Sequence, residues 1–379
     1  MKTTIKIILF LLLLNVFSCK KEVVNTNSGF NNYDTINIDV KKKNVIIDLF
    51  SGFDIIKIKG DYIGKIRKLE FLPNGNFVFS TSSGKERAHI YNIIKRERIA
   101  IINKGNAPKE VSDVTDLSID KKGNIYILDM RKKSLHIISK EGKYLKKEKL
   151  DDFYDEAIIT ENFKVFMKKV PYGLKDYKIT ITDNDFNIKK KYLSVPKIAY
   201  ERDFSQQRSI YKSGDNIMFT QSFSDTIYSI NNEKIKTKYL LNFINKQLPY
   251  RDYYNKNYDL MKFVQKMRKS NNVWNISSIL ENDRYMLISF RFGSNKKVFF
   301  SFYDKNSKKV RTSNEIDFSK LFLMKNKANF CEDFYPIYMS SKSLYFILEP
   351  YYLLENDNNI SNISTDYDQN PIILKLNFK

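Results

Sequence analysis

"LEFLPNGNFVFSTSS" at residues 69–83 and "LSIDKKGNIYILDMR" at residues 117–131 are two copies of one pattern. Leucine, glycine and asparagine recur at an offset of 48 residues, in the pairs Leu69 and Leu117, Gly75 and Gly123, and Asn76 and Asn124. In each copy an alternating strand enters a Gly-Asn turn and a second alternating strand leaves it. This layout is the signature of a β-hairpin.

Each copy continues into two further strands of similar length. The third strands are "AHIYNII" from Ala88 and "LHIISK" from Leu135, and the fourth are "RIAIIN" from Arg98 and "KYLKKEKL" from Lys143. Four strands per unit, with a period in the forties, are typical of one blade of a β-propeller.

The remaining chain divides into four more units of this kind. They begin near Glu156, Arg208 and Asn275, and the last contains "FYPIYMS", "SLYFILE" and "PIILKLNF". Three N-terminal strands, "TINIDV", "NVIIDL" and "DIIKIK", are left over, and we expect one of them to complete the last blade so that no sheet edge stays exposed. The sequence therefore predicts an all-β fold over residues 34–379, a six-bladed propeller of four-stranded antiparallel blades.

One segment departs from the β pattern. Between Pro249 and Lys269, apolar residues recur at spacings of three or four, which predicts an inserted amphipathic helix. We take its cationic side chains as candidate residues for binding a ligand or partner: Lys256, Lys262, Lys266, Arg268 and Lys269. The helix could instead plug the central channel or cover a blade edge.

The N-terminus carries an export signal. Residues 7–22 read "IILFLLLLNVFSCKKE", and the apolar run is shorter than the roughly 20 residues that a spanning helix needs. The stretch from Val16 to Cys19 resembles the lipobox of bacterial lipoproteins, which implies a signal peptide at residues 1–18 and acylation of Cys19. An ordinary secretory signal and an uncleaved anchor are the alternatives. The polar residues 19–33 suit a flexible tether between the lipid and the propeller.

The cysteine content leaves no intramolecular disulfide if Cys19 is acylated. Cys331 is the only cysteine besides Cys19, so a lipid on Cys19 would leave no partner for an intramolecular disulfide.

The net charge is +22, but lysines spread along the whole chain supply most of it. Because no helix-turn-helix, zinc-finger or RNP-like pattern accompanies the charge, we expect a solvated surface and no nucleic-acid partner.

The residues that usually carry chemistry are sparse. His89 and His136 are the only histidines, and both fall in third strands, where repeat equivalence explains them without a metal. Asp183, Asp185 and Asn187 begin like a calcium loop, but Ile188 replaces the glycine needed for its turn and Ser194 stands where the bidentate glutamate belongs, so we expect a hairpin turn there. Neither a GxSxG elbow nor a phosphate-binding loop occurs. We therefore predict neither a metal nor a cofactor, and the catalytic residues stay unknown.

The order of these segments resembles a known family. The run "INIDV...NVIIDLFSGFDIIKIKGDYIGKIRKLEFL", then "INKGNAPKEVSDVTDLSIDKKGNIYILD", "SDTIYSI" and a late "QNPIILKL" is similar to the six-bladed propeller lipoproteins of Bacteroidetes, which are NHL- or TolB-like. The resemblance covers Thr35 to the C-terminus and implies an outer-membrane lipoprotein, periplasmic or surface-exposed. Asp34-Thr35-Ile36 and Asp225-Thr226-Ile227 also resemble a Bacteroidetes O-glycosylation motif, with Thr35 and Thr226 as acceptors.

Two functions are compatible with these features. The first is a monomeric, lipid-anchored platform in the cell envelope that binds a protein or a glycan. The second is a hydrolase or lyase whose active site lies in the loops of the central channel. A polar pocket with paired carboxylates or an Arg-Tyr-His group would favour the enzyme, and an apolar, filled channel would disfavour it.

Overall fold

The propeller unit spans Tyr33–Lys379. The computed structural model describes residues 33–82, 85–169, 176–194, 208–214, 216–221, 224–231, 233–244, 246, 262, 265–266, 269–293, 298–317, 327–329, 334–350 and 370–379. The predicted signal peptide, Cys19 and nearly all of the predicted tether lie outside these residues. In the described part of the chain, no helix is both long enough and apolar enough to cross a membrane.

The first two strands join blades that are formed by later parts of the chain. They are β1 (Asp34–Ile38) and β2 (Phe50–Lys57), with a 3₁₀ turn at Ile47–Leu49 directly before β2.

Five successive antiparallel sheets of four strands follow. Blade 1 consists of β3 (Ile66–Phe71), β4 (Phe77–Thr81), β5 (Glu86–Asn92) and β6 (Glu97–Asn103). Blade 2 consists of β7 (Asp116–Ile119), β8 (Ile125–Asp129), β9 (Ser134–Ile138) and β10 (Tyr144–Lys149), with a 3₁₀ turn at Met130–Lys132. Blade 3 consists of β11 (Glu156–Ile159), β12 (Lys164–Met167), β13 (Tyr177–Thr182) and β14 (Ile188–Ser194). Blade 4 consists of β15 (Ile210–Ser213), β16 (Asn216–Thr220), β17 (Thr226–Asn231) and β18 (Lys234–Phe243). Blade 5 consists of β19 (Val273–Glu281), β20 (Tyr285–Phe292), β21 (Val298–Asp304) and β22 (Val310–Ser313).

The last blade closes the ring with the N-terminal strand β2. A short hairpin of β23 (Glu315–Asp317) and β24 (Lys327–Asn329) precedes blade 6 along the chain. Blade 6 then consists of β25 (Phe334–Met339), β26 (Ser343–Leu348), β27 (Ile372–Phe378) and β2. Because β2 pairs antiparallel with β27 along its length, the predicted closure by an N-terminal strand is confirmed.

The N-terminal segment also reinforces two other blades. Strand β1 pairs in parallel with β18 and gives blade 4 a fifth strand, which the four-stranded prediction did not include. Further along, the Asn44 N–H donates to the Thr312 carbonyl of blade 5 at 2.8 Å. The segment therefore crosses the outer edges of blades 4, 5 and 6 in succession.

The innermost strand of each blade faces the propeller axis. Strands β3, β7, β11, β15, β19 and β25 contact one another in that order, and β25 contacts β3. This closed ring confirms the six predicted blades and encloses a central channel.

Apolar side chains pack between the blades. The described residues contain six buried apolar clusters, and each joins two consecutive blades around the ring. Phe71 of blade 1 shows the pattern, since its ring lies 4.7 Å from that of Tyr338 and 4.6 Å from that of Tyr345, both in blade 6. Burial of these faces from water holds the blades together.

The repeat seen in the sequence recurs in the backbone. The Gly75 N–H donates to the Leu72 carbonyl at 2.9 Å, and the Gly123 N–H donates to the Asp120 carbonyl at 3.1 Å. The two glycines have φ angles of 83° and 88°, a left-handed conformation that glycine adopts most easily. The Gly-Asn turns are therefore the hairpin turns that the sequence predicted.

The predicted helix between 249 and 269 falls mostly outside the described residues and stays a prediction. Of its cations, Lys256 and Arg268 are outside the described part, and Lys262, Lys266 and Lys269 are exposed.

Candidate functional site

The central channel contains a wide compartment near the start of the inner strands. Its volume is about 720 Å³, within the range of small-molecule sites. Backbone and side chains of blades 1, 5 and 6 form much of its wall, with Lys169 and Arg208 entering from the inner ends of blades 3 and 4.

Cationic side chains supply all the charge in the described lining of the wide compartment. Six belong to it: Lys65, Arg67, Lys68, Lys169, Arg208 and Arg291. Among the described lining residues there is no carboxylate. The charged side chains that a ligand would meet in the described lining are therefore all cationic.

Two buried carboxylates lie behind this lining and link neighbouring blades. Asp116 and Glu156 are the first residues of the inner strands β7 and β11. Asp116 Oδ2 accepts a hydrogen bond from the Ala157 N–H of the next blade at 2.9 Å. One step further around the ring, Glu156 Oε2 accepts from the N–H groups of Ser209 and Ile210 at 2.8 and 3.0 Å. Each carboxylate thus satisfies backbone donors of the following inner strand.

Lysines of the wide compartment neutralise both carboxylates. Lys68 Nζ lies 3.1 Å from Asp116 Oδ1 and 3.7 Å from Glu156 Oε1, and Lys169 Nζ lies 2.9 Å from Glu156 Oε1. Burial by itself would raise the pKa of Glu156, but Lys169 and Lys68 hold that pKa below its usual value. Glu156 is therefore ionised near neutral pH.

An ion pair crosses the channel below the wide compartment. Arg208, just before β15 of blade 4, pairs with Glu70 of β3 in blade 1. Burial would lower the pKa of Arg208, but Glu70 and Asp116 outweigh it and raise that pKa. The guanidinium therefore stays charged and occupies the middle of the channel.

A second compartment of about 400 Å³ lies on the far side of this pair. Arg208 and Leu280 line both compartments. Its lining mixes cations, carboxylates and tyrosines: Lys121, Arg208, Lys212, Glu70, Asp120, Glu281, Tyr211 and Tyr338. Lys212 Nζ reaches across from blade 4 and donates to the Ile119 carbonyl of blade 2 at 2.8 Å. The narrow compartment is thus crossed by internal contacts and has no single sign of charge.

Neither histidine lines a compartment. The His89 ring is fully buried and stacks on Phe79 at 4.7 Å. His136 is also fully buried, and its Nε2 lies 3.2 Å from Ser134 Oγ. Burial is the main cause that lowers the pKa of each histidine to about 4, so both are neutral at pH 7. No group of three histidine, cysteine, aspartate or glutamate residues in the described chain is placed to hold a metal.

The two threonines of the glycosylation motifs lie in the same sheet. Thr35 of β1 and Thr226 of β17 both stand opposite Leu240 of β18, one on either side. Thr35 is exposed at a groove of about 560 Å³, whereas Thr226 is half-buried and donates to Asp225 Oδ1 at 3.0 Å. Their modification stays a prediction.

The suspected calcium stretch is a turn, as expected. Asp183 Oδ1 accepts hydrogen bonds from the N–H groups of Asp185 and Asn187 at 3.0 and 2.9 Å, which joins β13 to β14.

Sequence reasoning did not identify the charged residues of the channel. One signal was present, because Lys68 and Asp116 are separated by the same 48 residues as the hairpin repeat and directly precede its leucines. Opposite charges at equivalent inner-strand positions would have indicated a contact near the axis. Arg208 and Glu70 carry no such signal.

Comparisons with known proteins agree with the fold. A family model described as "Domain of unknown function (DUF4934)" matches residues 62–377. No curated protein sequence matches the chain. Among solved structures, a Bacteroides fragilis protein predicted to be exported has a TM-score of 0.71 at 16% identity, over 91% of this chain and 99% of that one. A DUF4221 family member from Bacteroides vulgatus has a TM-score of 0.53 at 12% identity, over 87% and 97% of the two chains. At these identities the likeness shows the fold, and it supports the resemblance to Bacteroidetes propellers.

Proposed function

The chain belongs to the DUF4934 family, a domain of unknown function, and on this premise we propose that it is a cell-envelope binding protein whose ligand places an anionic group in the wide compartment. The observation that carries the proposal is the set of six cations around one cavity, without a carboxylate in the described lining.

The channel walls strengthen this electrostatic preference. A cleft lined by one sign of charge and bounded by low-dielectric protein concentrates the field inside it. Lys68 and Lys169 are held by Asp116 and Glu156, so their ammonium groups are positioned before a ligand arrives. A preorganised site loses less side-chain entropy on binding.

The location in the envelope is supported by two observations. The N-terminal apolar run is typical of an export signal, and a structure with the same fold belongs to a protein predicted to be exported. Acylation of Cys19 would hold the propeller at a membrane, within reach of envelope glycans and proteins.

The arrangement of the wide compartment favours binding over acid–base catalysis in that compartment. A general acid at neutral pH needs a raised carboxyl pKa, whereas the lysines keep the pKa of Glu156 low. Asp116 and Glu156 also use their oxygens to accept backbone hydrogen bonds. The hydrolase or lyase alternative would need other groups, such as the carboxylates Glu70, Asp120 and Glu281 that line the narrow compartment.

Binding of simple anions tests the proposal directly. We would titrate the full-length chain in detergent with sulfate at constant ionic strength, set with chloride, by calorimetry. Sulfate should bind the wild type, and Arg67→Gln with Arg291→Gln should weaken binding about ten-fold or more. The matched control is Lys95→Gln, an exposed lysine on the outer turn of blade 1. Equal affinity of the wild type and the channel variant would show that general surface lysines bind the anion.

The predicted helix offers a second surface for a protein partner. The spacing of its apolar residues assigns these basic side chains to its polar side: Lys256, Lys262, Lys266, Arg268 and Lys269. Replacing all five by glutamine should reduce capture of the partner in cross-linking from intact cells, and unchanged capture would remove this surface from consideration.

A further inference from the structure

Blade 5 opens a recess at the side of the wide compartment. The lining there continues past the inner strand β19 to Ser289 of β20 and to Val298 and Phe300 of β21. In the other described blades the lining comes from the inner strand and its flanking residues, apart from Lys169, which follows β12 of blade 3. The cavity therefore extends sideways into one blade.

Small side chains at the inner-strand bulge of blade 5 explain the recess. The pairing of β19 with β20 shifts register between Ile276 and Ser278, which leaves Ser277 without an opposite residue. Blades 1 and 6 have equivalent bulges, but these carry the larger residues Arg67 and Ile337. Ser277 and Ser278 fill less space than the larger residues common at inner-strand positions. A ligand group can thus enter where a bulkier pair of side chains would close the blade.

The recess presents hydroxyls next to an apolar surface. The Ser289 hydroxyl donates to the Ser278 carbonyl at 2.9 Å, and the Ser278 and Ser289 hydroxyls contact each other, which leaves acceptor lone pairs on this pair. Phe300 and Val298 supply the apolar surface of the recess, and both side chains are buried apart from this contact with the cavity. Arg291, two residues beyond Ser289 on the same strand, places a cation at the same wall.

These groups match one chemical class of ligand. A sugar ring has hydroxyl groups at its edge and an apolar face of C–H groups, and an acidic sugar adds one anionic group. A few polar groups on a mostly apolar wall are the usual means of orienting a small ligand. Resting on the proposed function, we propose that the ligand is an acidic sugar, with its anionic group at the channel cations and its ring in the recess of blade 5.

Calorimetry with matched probes tests this assignment. We would titrate the full-length chain with a uronate disaccharide, with the neutral disaccharide of the same linkage, and with acetate, all at one ionic strength. The uronate disaccharide should bind about ten-fold or more tighter than either other probe, because it alone engages both the cations and the recess.

Two serine variants locate the sugar ring. Ser277→Ala and, separately, Ser289→Ala should weaken binding of the uronate disaccharide about five-fold and leave acetate binding unchanged. Thermal unfolding midpoints would be recorded for both variants, and Ser277→Ala serves if Ser289→Ala fails to fold. Lys95→Gln is again the control.

The outcomes separate this inference from the proposed function. Equal affinities for acetate and the uronate disaccharide, or serine variants with unchanged affinity, would overturn the sugar assignment and leave anion binding in place. Tighter binding of an aspartate-rich peptide than of the uronate disaccharide would also overturn it, in favour of an acidic protein segment. If none of these anions binds, the proposed function itself is wrong.

Discussion

Arg208 of blade 4 and Glu70 of blade 1 form an ion pair across the central channel, between blades that face each other in the ring of six. The pair divides the channel into compartments of about 720 and 400 Å³ that share Arg208 in their walls. A ligand that enters the wide compartment therefore meets a charged floor, and its anionic group would approach Arg208 there.

Removing the carboxylate of this pair should destabilise the fold. Glu70→Gln leaves the Arg208 charge in a site where its side chain is only 15% exposed. We expect a loss of about 3 kcal/mol in the free energy of unfolding, the usual result when one partner of a buried pair is removed. Urea unfolding followed by circular dichroism measures it. Lys95→Gln, at a pair with 69% and 59% exposure, should have little effect, and a Glu70→Gln variant no less stable than this control would contradict the expectation.

The carboxylate links between blades should make the stability of the fold fall at acid pH. The pKa of Glu156 is lower in the folded chain than its ordinary 4.5, so its contribution to stability is present above about pH 4.5 and is lost as the pH falls through the folded pKa. Glu156→Gln should be less stable at pH 7 by roughly 3 kcal/mol or more and should lose less stability on acidification. Urea unfolding at pH 7 and at pH 4 measures both quantities. Parallel losses in the variant and the wild type would exclude this role for Glu156.

Acidification should lower the stability of the fold through the buried histidines at a higher pH than through Glu156. The pKa of His89 and of His136 is about 4 in the folded chain, against 6.5 when exposed. Below pH 6.5 the unfolded chain binds protons that the folded chain does not, so stability falls between pH 6.5 and pH 4. This difference is worth roughly 3 kcal/mol for each histidine.

Phenylalanine at position 89 tests the histidine effect. His89→Phe keeps a flat ring against Phe79, and the variant should lose less stability than the wild type when the pH is lowered from 8 to 5. The comparison uses unfolding free energies at both pH values, and an unchanged pH dependence would show that folding does not lower the pKa of His89.

The two repeat glycines should differ in their tolerance of a side chain. Alanine at Gly75 has open space around its methyl group, so the cost is that of the left-handed backbone, about 1 to 2 kcal/mol. Alanine at Gly123 adds contacts at 3.3 Å to Lys140 Cβ and 3.4 Å to Pro73 Cδ. Gly123→Ala should therefore lower the thermal unfolding midpoint more than Gly75→Ala, and the reverse order would contradict the geometry.

The sequence determined the elements that depend on short-range patterns. The Gly-Asn turns at Gly75 and Gly123, the alternating strands around them and the period near 48 indicated blades, because a hairpin is specified by a few neighbouring residues. The presence of unpaired N-terminal strands also indicated closure of the ring. Which strand would close it was left open, and β2 does so while β1 extends blade 4.

Only the tertiary structure decided the candidate site. Arg208 and Glu70 are 138 residues apart, and Ser289 lies far along the chain from Lys65 and Arg67, yet closure of the ring brings all of them to one channel. Nothing local in the sequence distinguishes these residues from the many solvated lysines and arginines. Strand pairing depends on patterns within one blade, whereas the charge and shape of the channel depend on which side chains six separate blades direct toward a common axis.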